Sequence, residues 1–338
     1  MKILVTGATG FIGRKLVRKL IKEGHEVSAL VRRTSDVYKL PKRLRLVEGD
    51  MLEIRSLQKA IQNIEIVVHL AAYFDFYPKD KELLYRVNVD GTQNILDASV
   101  AASVSRFIYI STTEVIGPVK DPPATEETEL RPQFNYSKSK IRAEELVRAT
   151  TAKTELEHVI LRSTGIMGEG DFYTAFEAIE AVNECQIPML PGDGKKHIMY
   201  IHVDDVVRGI VAALDAKNAA NQTIILCPDE PMTWNDLFEF LGETLGVDPP
   251  RRKIPTVLAK LGVGILSPFK NREKTTFLWH MKTTQSMDEE RWYSNEKAKT
   301  LLGWAPQITM QEGLIRAINW YYEHGHLDNK HLKKNTDK

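Results

Sequence analysis

A parallel, doubly wound α/β sheet with a smaller C-terminal lobe is what this sequence predicts, on three observations. First, the N-terminus reads as a buried strand, a glycine turn and a helix. Ile3, Leu4 and Val5 run without helical period to Thr6, glycines follow at Gly7, Gly10 and Gly13, and Ile12, Leu16, Leu20 and Ile21 then recur at helical spacing. Second, short apolar runs alternate with helical stretches beyond it, the pattern of parallel strands joined by crossover helices. Third, 338 residues with 43% hydrophobic and 27% charged content allow one large or two intimate domains around a substantial core.

Composition also excludes classes. A net charge of +1 offers no electrostatic footprint for nucleic acid. No apolar run reaches membrane-spanning length. The strand and glycine turn begin at once, so no secretory leader is expected. Cys185 and Cys227 stand far apart without metal-ligand spacing, which points to buried thiols, no metal site and a reducing cytoplasm.

The first turn carries the chemistry. A helix N-terminus offers unpaired N–H groups and the positive end of a dipole, the environment a pyrophosphate needs. Gly7 permits the turn, Gly10 lets backbone approach the phosphates, and Gly13 lets helix pack on strand. The segment Thr6-Gly7-Ala8-Thr9-Gly10-Phe11-Ile12-Gly13 resembles the cofactor motif of the extended short-chain dehydrogenase/reductases, which include nucleotide-sugar epimerases, dihydroflavonol reductases and 3β-hydroxysteroid dehydrogenases. The resemblance implies a Rossmann-type fold, with Gly7, Thr9, Gly10, Phe11, Ile12 and Gly13 on the dinucleotide.

Val27 to Val31 is the expected second strand, and Arg32 and Arg33 follow it. An acidic residue there suits the NAD ribose; a guanidinium suits a 2′-phosphate. NADP(H) is therefore preferred through Arg32, with NAD(H) possible, and the alternative is that both arginines solvate a loop. A third strand, Arg45 to Val47, leads to Asp50 and Met51, which the resemblance places beside the adenine; Asp50 also suits an N-cap for a helix over Leu52 to Ile61. Ile64 to Leu70 is the fourth strand. It carries His69, read as structural, and Leu70, Ala71 and Ala72, which the resemblance places under the cofactor. The cluster Tyr73 to Tyr77 either walls a substrate pocket or staples the next helix. Leu83 to Val100 is expected as one long helix around Asn88. The helix from Tyr136 to Val147 offers a second apolar face, and the resemblance implies that such helices pair in a homodimer; the alternative is packing within one chain.

Arg106 to Ile110 is the fifth strand, followed by Ser111-Thr112-Thr113-Glu114 and, downstream, Tyr136-Ser137-Lys138-Ser139-Lys140. Tyr136 and Lys140 stand at i and i+4, on one helix face. A carbonyl accepting hydride needs a proton, and an alcohol losing hydride needs a base. A phenol near its ordinary pKa serves poorly at neutral pH, and a neighbouring ammonium favours its phenolate. The family triad implied is Thr112, Tyr136 and Lys140, with Ser111 the runner-up for the hydroxyl. Nucleotide-sugar dehydratases resemble this segment as Thr-Asp-Glu; Thr113 replaces their acid. Many epimerases carry a tyrosine where Ile116 stands and a proline at Asn135.

Val159 to Leu161 is the sixth strand, with Ser163 beside the nicotinamide by resemblance. The His202-Val203-Asp204-Asp205 element is expected to cap a helix over Val206 to Leu214. Thr223 to Leu226 is one more strand. Thr233 is expected to cap a helix over Asn235 to Leu245. Val257 to Leu266, flanked by Lys260, Lys270, Arg272 and Lys274, is expected as a pocket helix, then a lid, then an interfacial membrane contact. Helices close the chain at Asn295 to Trp304 and Glu312 to Tyr322. The expected organisation is a dinucleotide domain over 1–165, rejoined by 199–227, a substrate lobe over 166–198 and 228–324, and a mobile polar tail over 325–338.

Tyr85 to Thr92 and the ending Ala317 to Gly325 most resemble the dihydroflavonol-reductase-like branch, which includes bacterial hopanoid-associated epimerases. The implied activity is an NADP(H)-dependent oxidoreductase acting on a ketone or secondary alcohol of a small, fairly apolar molecule. A nucleotide-sugar epimerase is the alternative, with Lys195, Lys196, Arg251, Arg252 and Arg291 as candidates for a diphosphate. A non-enzymatic NADP(H)-sensing protein is the third.

Overall fold

The computed structural model describes residues 1–187, 189–266 and 281–328. Lys270, Arg272 and Lys274, and residues 329–338 of the expected tail, lie outside the described residues.

The N-terminal strand β1 (Lys2–Thr6) is central, with Ile3, Leu4 and Val5 buried on both faces, and α1 (Phe11–Lys22) packs on it through Leu16, Val17 and Leu20. The chain then winds outward through β2 (Glu26–Val31) and β3 (Arg45–Glu48). It crosses back by α2 (Ile54–Ala60) to β4 (Ile66–His69) on the other side of β1. Next come α3 (Lys81–Tyr85), a π-helical turn over Arg86–Asp90, α4 (Gly91–Ala101), β5 (Arg106–Thr112), α5 (Asn135–Thr151) and β6 (Glu157–Ser163). The lobe begins with β7 (Gly165–Met167), α6 (Ala175–Asn183), β8 (Leu190–Pro191), β9 (His197–Ile198) and β10 (Tyr200–His202). Helix α7 (Val203–Ala212) returns the chain to β11 (Gln222–Leu226) at the sheet edge. The remainder is β12 (Met232–Thr233), α8 (Trp234–Leu245), β13 (Lys253–Ile254), α9 (Thr256–Leu266), α10 (Met281–Ser286), α11 (Glu296–Leu302) and α12 (Met310–Glu323).

The main sheet has seven strands in the order β11-β6-β5-β4-β1-β2-β3, every pair parallel. Strand order reverses between β1 and β4, so a crevice opens at their carboxyl ends, where ligands of such sheets bind. One core lies between the sheet and α1 and α7, another between the sheet and α2, α4 and α5; the lobe has its own core around Trp234, Phe238 and Tyr321.

Four expectations change. The long helix over Leu83 to Val100 contains the π turn at Arg86–Asp90, which sets Asn88 inward. Asp204 and Asp205 do not provide the α7 N-cap; His202 does, accepting from the Asp204 N–H at 3.2 Å. Helix α9 does not line the pocket: Val257, Leu258, Leu261 and Ile265 are 53–70% exposed, and the neighbouring α10 supplies Ser286 to the cavity instead. The first residues of the expected tail are docked, with Leu327 buried and His326 stacked on Trp320.

Candidate active site

The dinucleotide cradle follows from the β1–α1 turn. Gly7 takes φ +70°, and a Cβ there would meet Ala71 N at 2.8 Å; a Cβ on Gly13 would meet the Gly7 carbonyl at 2.2 Å. Gly10 is the α1 N-cap without a side-chain hydrogen bond, and no acid stands in the first turn, so the N–H groups there face outward uncapped. These residues fit a dinucleotide pyrophosphate. Phe11, Ile12, Leu70 and Ala72 line the adjoining cavity with Gly7, Gly10 and Gly13. Thr9 stands in the same turn but outside that lining, and Ala71 donates its N–H to Thr6 Oγ1 at 3.2 Å.

After β2, Arg33 pairs with Glu48 at 2.5 Å. Arg32 forms none of the ion pairs among the described residues, and its N–H bonds Ser35 Oγ at 3.0 Å. Asp50 Oδ1 accepts from the Leu52 N–H at 2.8 Å, but α2 starts later, at Ile54, so Asp50 closes a turn rather than capping the helix. Met51 is buried against Gly91.

Thr112, Tyr136, Lys140 and Ser163 all line one cavity of about 300 Å³. Thr112 ends β5, and its Oγ1 accepts from the Glu114 N–H at 3.2 Å, which leaves its own hydrogen to donate. Ser111 is buried, and its hydroxyl has no hydrogen-bond partner among the described residues. Helix α5 starts at Asn135 because Ser137 Oγ bonds both the N–H and C=O of Phe134, at 3.2 and 3.0 Å, and this places Tyr136 and Lys140 on its buried face.

The electrostatics differ from the sequence expectation. Lys140 Nζ donates to the Ile110 carbonyl at 2.6 Å and lies 4.1 Å from the Tyr109 ring centroid. Burial pushes Lys140 down to about 7, against the pull of Glu144. Tyr136 is raised, by burial first and by the Glu114 charge second. Burial therefore outweighs the other influences on the phenol, and Tyr136 stands as a protonated donor.

His69 is structural. Its ring lies between Thr6 Oγ1 at 2.7 Å and Thr92 Oγ1 at 3.1 Å, and burial first, then the Lys140 charge, hold it down at about 3. The Tyr73–Tyr77 alternatives resolve toward the cavity wall: the Phe74 ring lies 4.8 Å and the Phe76 ring 5.9 Å from that of Tyr136, both edge-on. Asn88 ties this loop to α5, bonding the Tyr73 N–H at 2.7 Å, the Tyr73 carbonyl at 3.0 Å and Ser139 Oγ at 2.9 Å.

The cavity also takes residues the sequence reading passed over. Tyr200 and Trp234 are single aromatics at element starts, with no sequence signal. Asp171 had one, an acid ahead of an apolar helical run: its carboxylate accepts from the N–H groups of Tyr173, Thr174 and Ala175, at 2.8, 3.1 and 2.9 Å, and burial pushes it up to about 6. Of the five cations offered for a diphosphate, Arg291 alone lines the cavity; Arg251 and Arg252 line a separate depression with Cys185. Among the described residues one group has metal-ligand spacing, Glu169, His202 and Asp204. The Lys15 ammonium already bonds Glu169 at 2.8 Å and Asp204 at 3.1 Å, tying α1 to the lobe.

A glycine cradle at a sheet's switch point, beside a buried tyrosine–lysine pair, defines a nicotinamide-dependent enzyme of the short-chain dehydrogenase/reductase type. The sequence model of the NAD dependent epimerase/dehydratase family matches residues 3–227, and the chain belongs to that family. It is 29% identical over 338 residues to a putative dihydroflavonol 4-reductase of Synechocystis, covering 96% of this chain and 95% of that protein. It is 26% identical over 340 residues to a 3-beta-hydroxysteroid dehydrogenase of Mycolicibacterium neoaurum, covering 95% and 91%. Among solved structures it superposes on DesIV, a dTDP-glucose 4,6-dehydratase of Streptomyces venezuelae with NAD bound, at a TM-score of 0.77, with 27% identity over 97% of this chain and 99% of that one. The chain is thus an NAD(P)-dependent enzyme, and the reading as a non-enzymatic sensor falls. No helix among the described residues is long and apolar enough to cross a membrane.

Proposed function

We propose that the chain is an NADP(H)-dependent oxidoreductase that transfers hydride between nicotinamide and a ketone or secondary alcohol of a small, fairly apolar molecule. The observation that carries this is the cavity wall. Phe74, Phe76 and Phe134 gather around Tyr136, with Tyr173, Tyr200 and Trp234 on the lobe side. Among the described residues its one arginine, Arg291, is already matched by Glu114 and Glu289. Such a wall suits an uncharged, apolar body better than a diphosphate. The reductase and steroid-dehydrogenase relatives point the same way.

When bound, the dinucleotide supplies or accepts the hydride. The rest belongs to the chain. The Thr112 hydroxyl orients the substrate oxygen, and the Tyr136 phenol gives that oxygen its proton in reduction or takes it in oxidation. Lys140, anchored on Ile110, stands beneath the site one helical turn from Tyr136. Reduction draws on the protonated phenol and oxidation on its phenolate. Arg32, which forms no ion pair among the described residues, supports NADP(H) over NAD(H). Asp50, Met51, Leu70, Ala71, Ala72 and Ser163 complete the proposed cofactor contacts. A homodimer through α4 and α5 and a cytoplasmic location belong to the same proposal; both cysteines are free.

Nucleotide-sugar epimerisation is the second reading, favoured by Arg291 in the cavity. One experiment separates the two. Cofactor-stripped protein is titrated with NADPH and NADH, then offered a ketone panel and a UDP-sugar panel. The reductase predicts tighter NADPH binding that Arg32→Asp abolishes, and ketone-dependent oxidation of NADPH that falls by about 100-fold or more in Tyr136→Phe. Tight NAD(H) retention with sugar interconversion and no net cofactor turnover would replace it with the epimerase.

A further inference from the structure

We propose that Arg291 is a positioning residue for proton transfer at Tyr136, acting through Glu114; this rests on the reading of Tyr136 as the proton donor and acceptor. Arg291 comes from the C-terminal part of the lobe and is buried. Its backbone is pinned by an N–H bond to the His197 carbonyl at 3.1 Å. Its guanidinium spans the two elements that carry the reacting hydroxyls. Nε lies 3.4 Å from Glu114 Oε1, in the turn directly after Thr112, and Nη2 donates to Gln133 Oε1 at 3.1 Å, just ahead of the helix carrying Tyr136. Arg291, Glu114 and Tyr136 all line the one cavity.

The charges give the bridge its consequence. In an apolar pocket a carboxylate beside a phenol resists formation of the phenolate, and a cation on that carboxylate relieves the resistance. Glu114 lines the same cavity as Tyr136, and its charge adds to the burial that raises the phenol. Other titratable groups stand around the phenol on each element packed there. On its own helix, Lys140 is bonded to Ile110, and Glu144 is paired with Arg162 and Arg148. Tyr109 on β5 is raised by burial, and His69 on β4 is neutral. Asp75, in the aromatic loop, accepts the Tyr77 N–H at 2.8 Å. From the lobe come Asp171, bonded to three backbone N–H groups, and Tyr173 and Tyr200. From the C-terminal segment come Tyr293 and Glu289, the second carboxylate on Arg291. Arg291 is therefore the side chain through which the lobe sets how easily Tyr136 gives up its proton.

The test reads the phenol directly and needs no substrate. Position 136 is replaced by 3,5-difluorotyrosine, whose lowered intrinsic pKa brings the titration into an accessible range, and the protein is titrated by ¹⁹F NMR. Arg291→Met is expected to raise the midpoint by about one unit. Glu114→Gln is expected to lower it, and Glu114→Gln combined with Arg291→Met to abolish the effect of the arginine change. Should Arg291→Met fail to fold, Arg291→Lys and Glu114→Gln carry the test: the lysine variant is expected to stay near the parent midpoint, and the glutamine variant to fall below it. Equal midpoints in the parent and Glu114→Gln, or an unchanged midpoint in folded Arg291→Met, would overturn the proposal. In the unlabelled enzyme the alkaline limb of alcohol oxidation, which needs the phenolate, is expected to move with the same signs; a purely structural role would lower the rate without moving that limb. Absence of any ketone turnover alongside the ¹⁹F shifts would remove the reductase reading and leave the coupling standing.

Discussion

Gly13 shows what one residue does for the cofactor end of the site. Its missing side chain is where the Gly7 carbonyl and the Ala8 Cα already lie, at 2.2 and 2.6 Å from any added Cβ. All of these neighbours are backbone, so nothing near Gly13 relaxes by turning a rotamer. A methyl group there must lift α1 off β1, and the N–H groups of the first helical turn move with it. Gly13→Ala is expected to cost about 1–3 kcal/mol of stability, the usual range for overpacking. It is also expected to weaken dinucleotide binding by more than that loss explains. Calorimetric titration with NADPH beside a urea melt separates the two effects; unchanged affinity in a stably folded variant would show that helix and strand can part without harming the cradle. Tyr136 and Lys140 illustrate a different point at the same scale. Their spacing was readable in the sequence, but their protonation was not, because burial and the reach of Glu114 depend on neighbours more than twenty residues away.

At the scale of elements, periodic stretches were legible and irregular joins were not. Strand β1, helix α1 and the Thr233-capped α8 follow directly from apolar period and caps; the Thr233 hydroxyl accepts from the Asp236 N–H at 3.1 Å as a capping residue should. The π turn at Arg86–Asp90 leaves no periodic signature, since one extra residue per turn barely disturbs an apolar stripe. Helix α9 was misplaced for another reason: an apolar helix reads as buried until the element that would cover it is known. The Asp204-Asp205 element is a third case, in which the residue type was informative and the partner was not. Asp205 is fully buried, and it reaches forward a hundred residues to the segment after Trp304. Its oxygens accept from the Gln307 and Ile308 N–H groups at 2.9 and 3.1 Å, its carbonyl takes the Trp304 indole N–H at 3.0 Å, and Arg208 pairs with it. It thereby fastens the approach to α12 onto α7. Asp205→Ala would leave two backbone donors and a guanidinium without their acceptor, and is expected to destabilise the chain by about 1–3 kcal/mol. Urea denaturation measures this, and a loss below about 0.5 kcal/mol would mean that water replaces the carboxylate.

For the whole molecule, strand order converts scattered segments into one site. Residues from β1, β4, β5, β6 and the lobe meet because the reversal of order between β1 and β4 gathers the carboxyl ends of those strands around one crevice. That convergence was legible for the sheet, whose glycine turn and tyrosine–lysine pair have defined places in such a topology. It was not legible for the lobe, where Asp171, Tyr200, Trp234 and Arg291 meet through short irregular segments. The same depth of burial makes the fold sensitive to acid. His69 and His158 stay neutral in the folded chain down to about 3 and about 4, because burial first, and then the nearby Lys140 and Arg148 charges, oppose the imidazolium; Glu144 partly favours it at His158. Unfolded, both bind protons near 6.5. Between those values the unfolded state holds more protons, so the stability they contribute is present above 6.5 and is lost progressively as pH falls below it. Asp171 acts with the opposite sign: its pKa is raised to about 6 in the fold, so it offsets part of the loss between pH 6 and 4. At pH 5 each histidine withdraws about 2 kcal/mol and Asp171 returns somewhat less than one such share, a net loss of about 3 kcal/mol relative to neutral pH. Urea melts at pH 7.5 and pH 5.0 measure the difference. In His69→Asn, whose amide can still bond Thr6 or Thr92, the difference is expected to shrink by about 2 kcal/mol. An equal difference in the parent and the variant would place the acid sensitivity in groups other than His69; Glu144 is not one of them, because its arginine partners hold it ionised against the effect of burial and its contribution is lost only as pH falls below the ordinary carboxylate range.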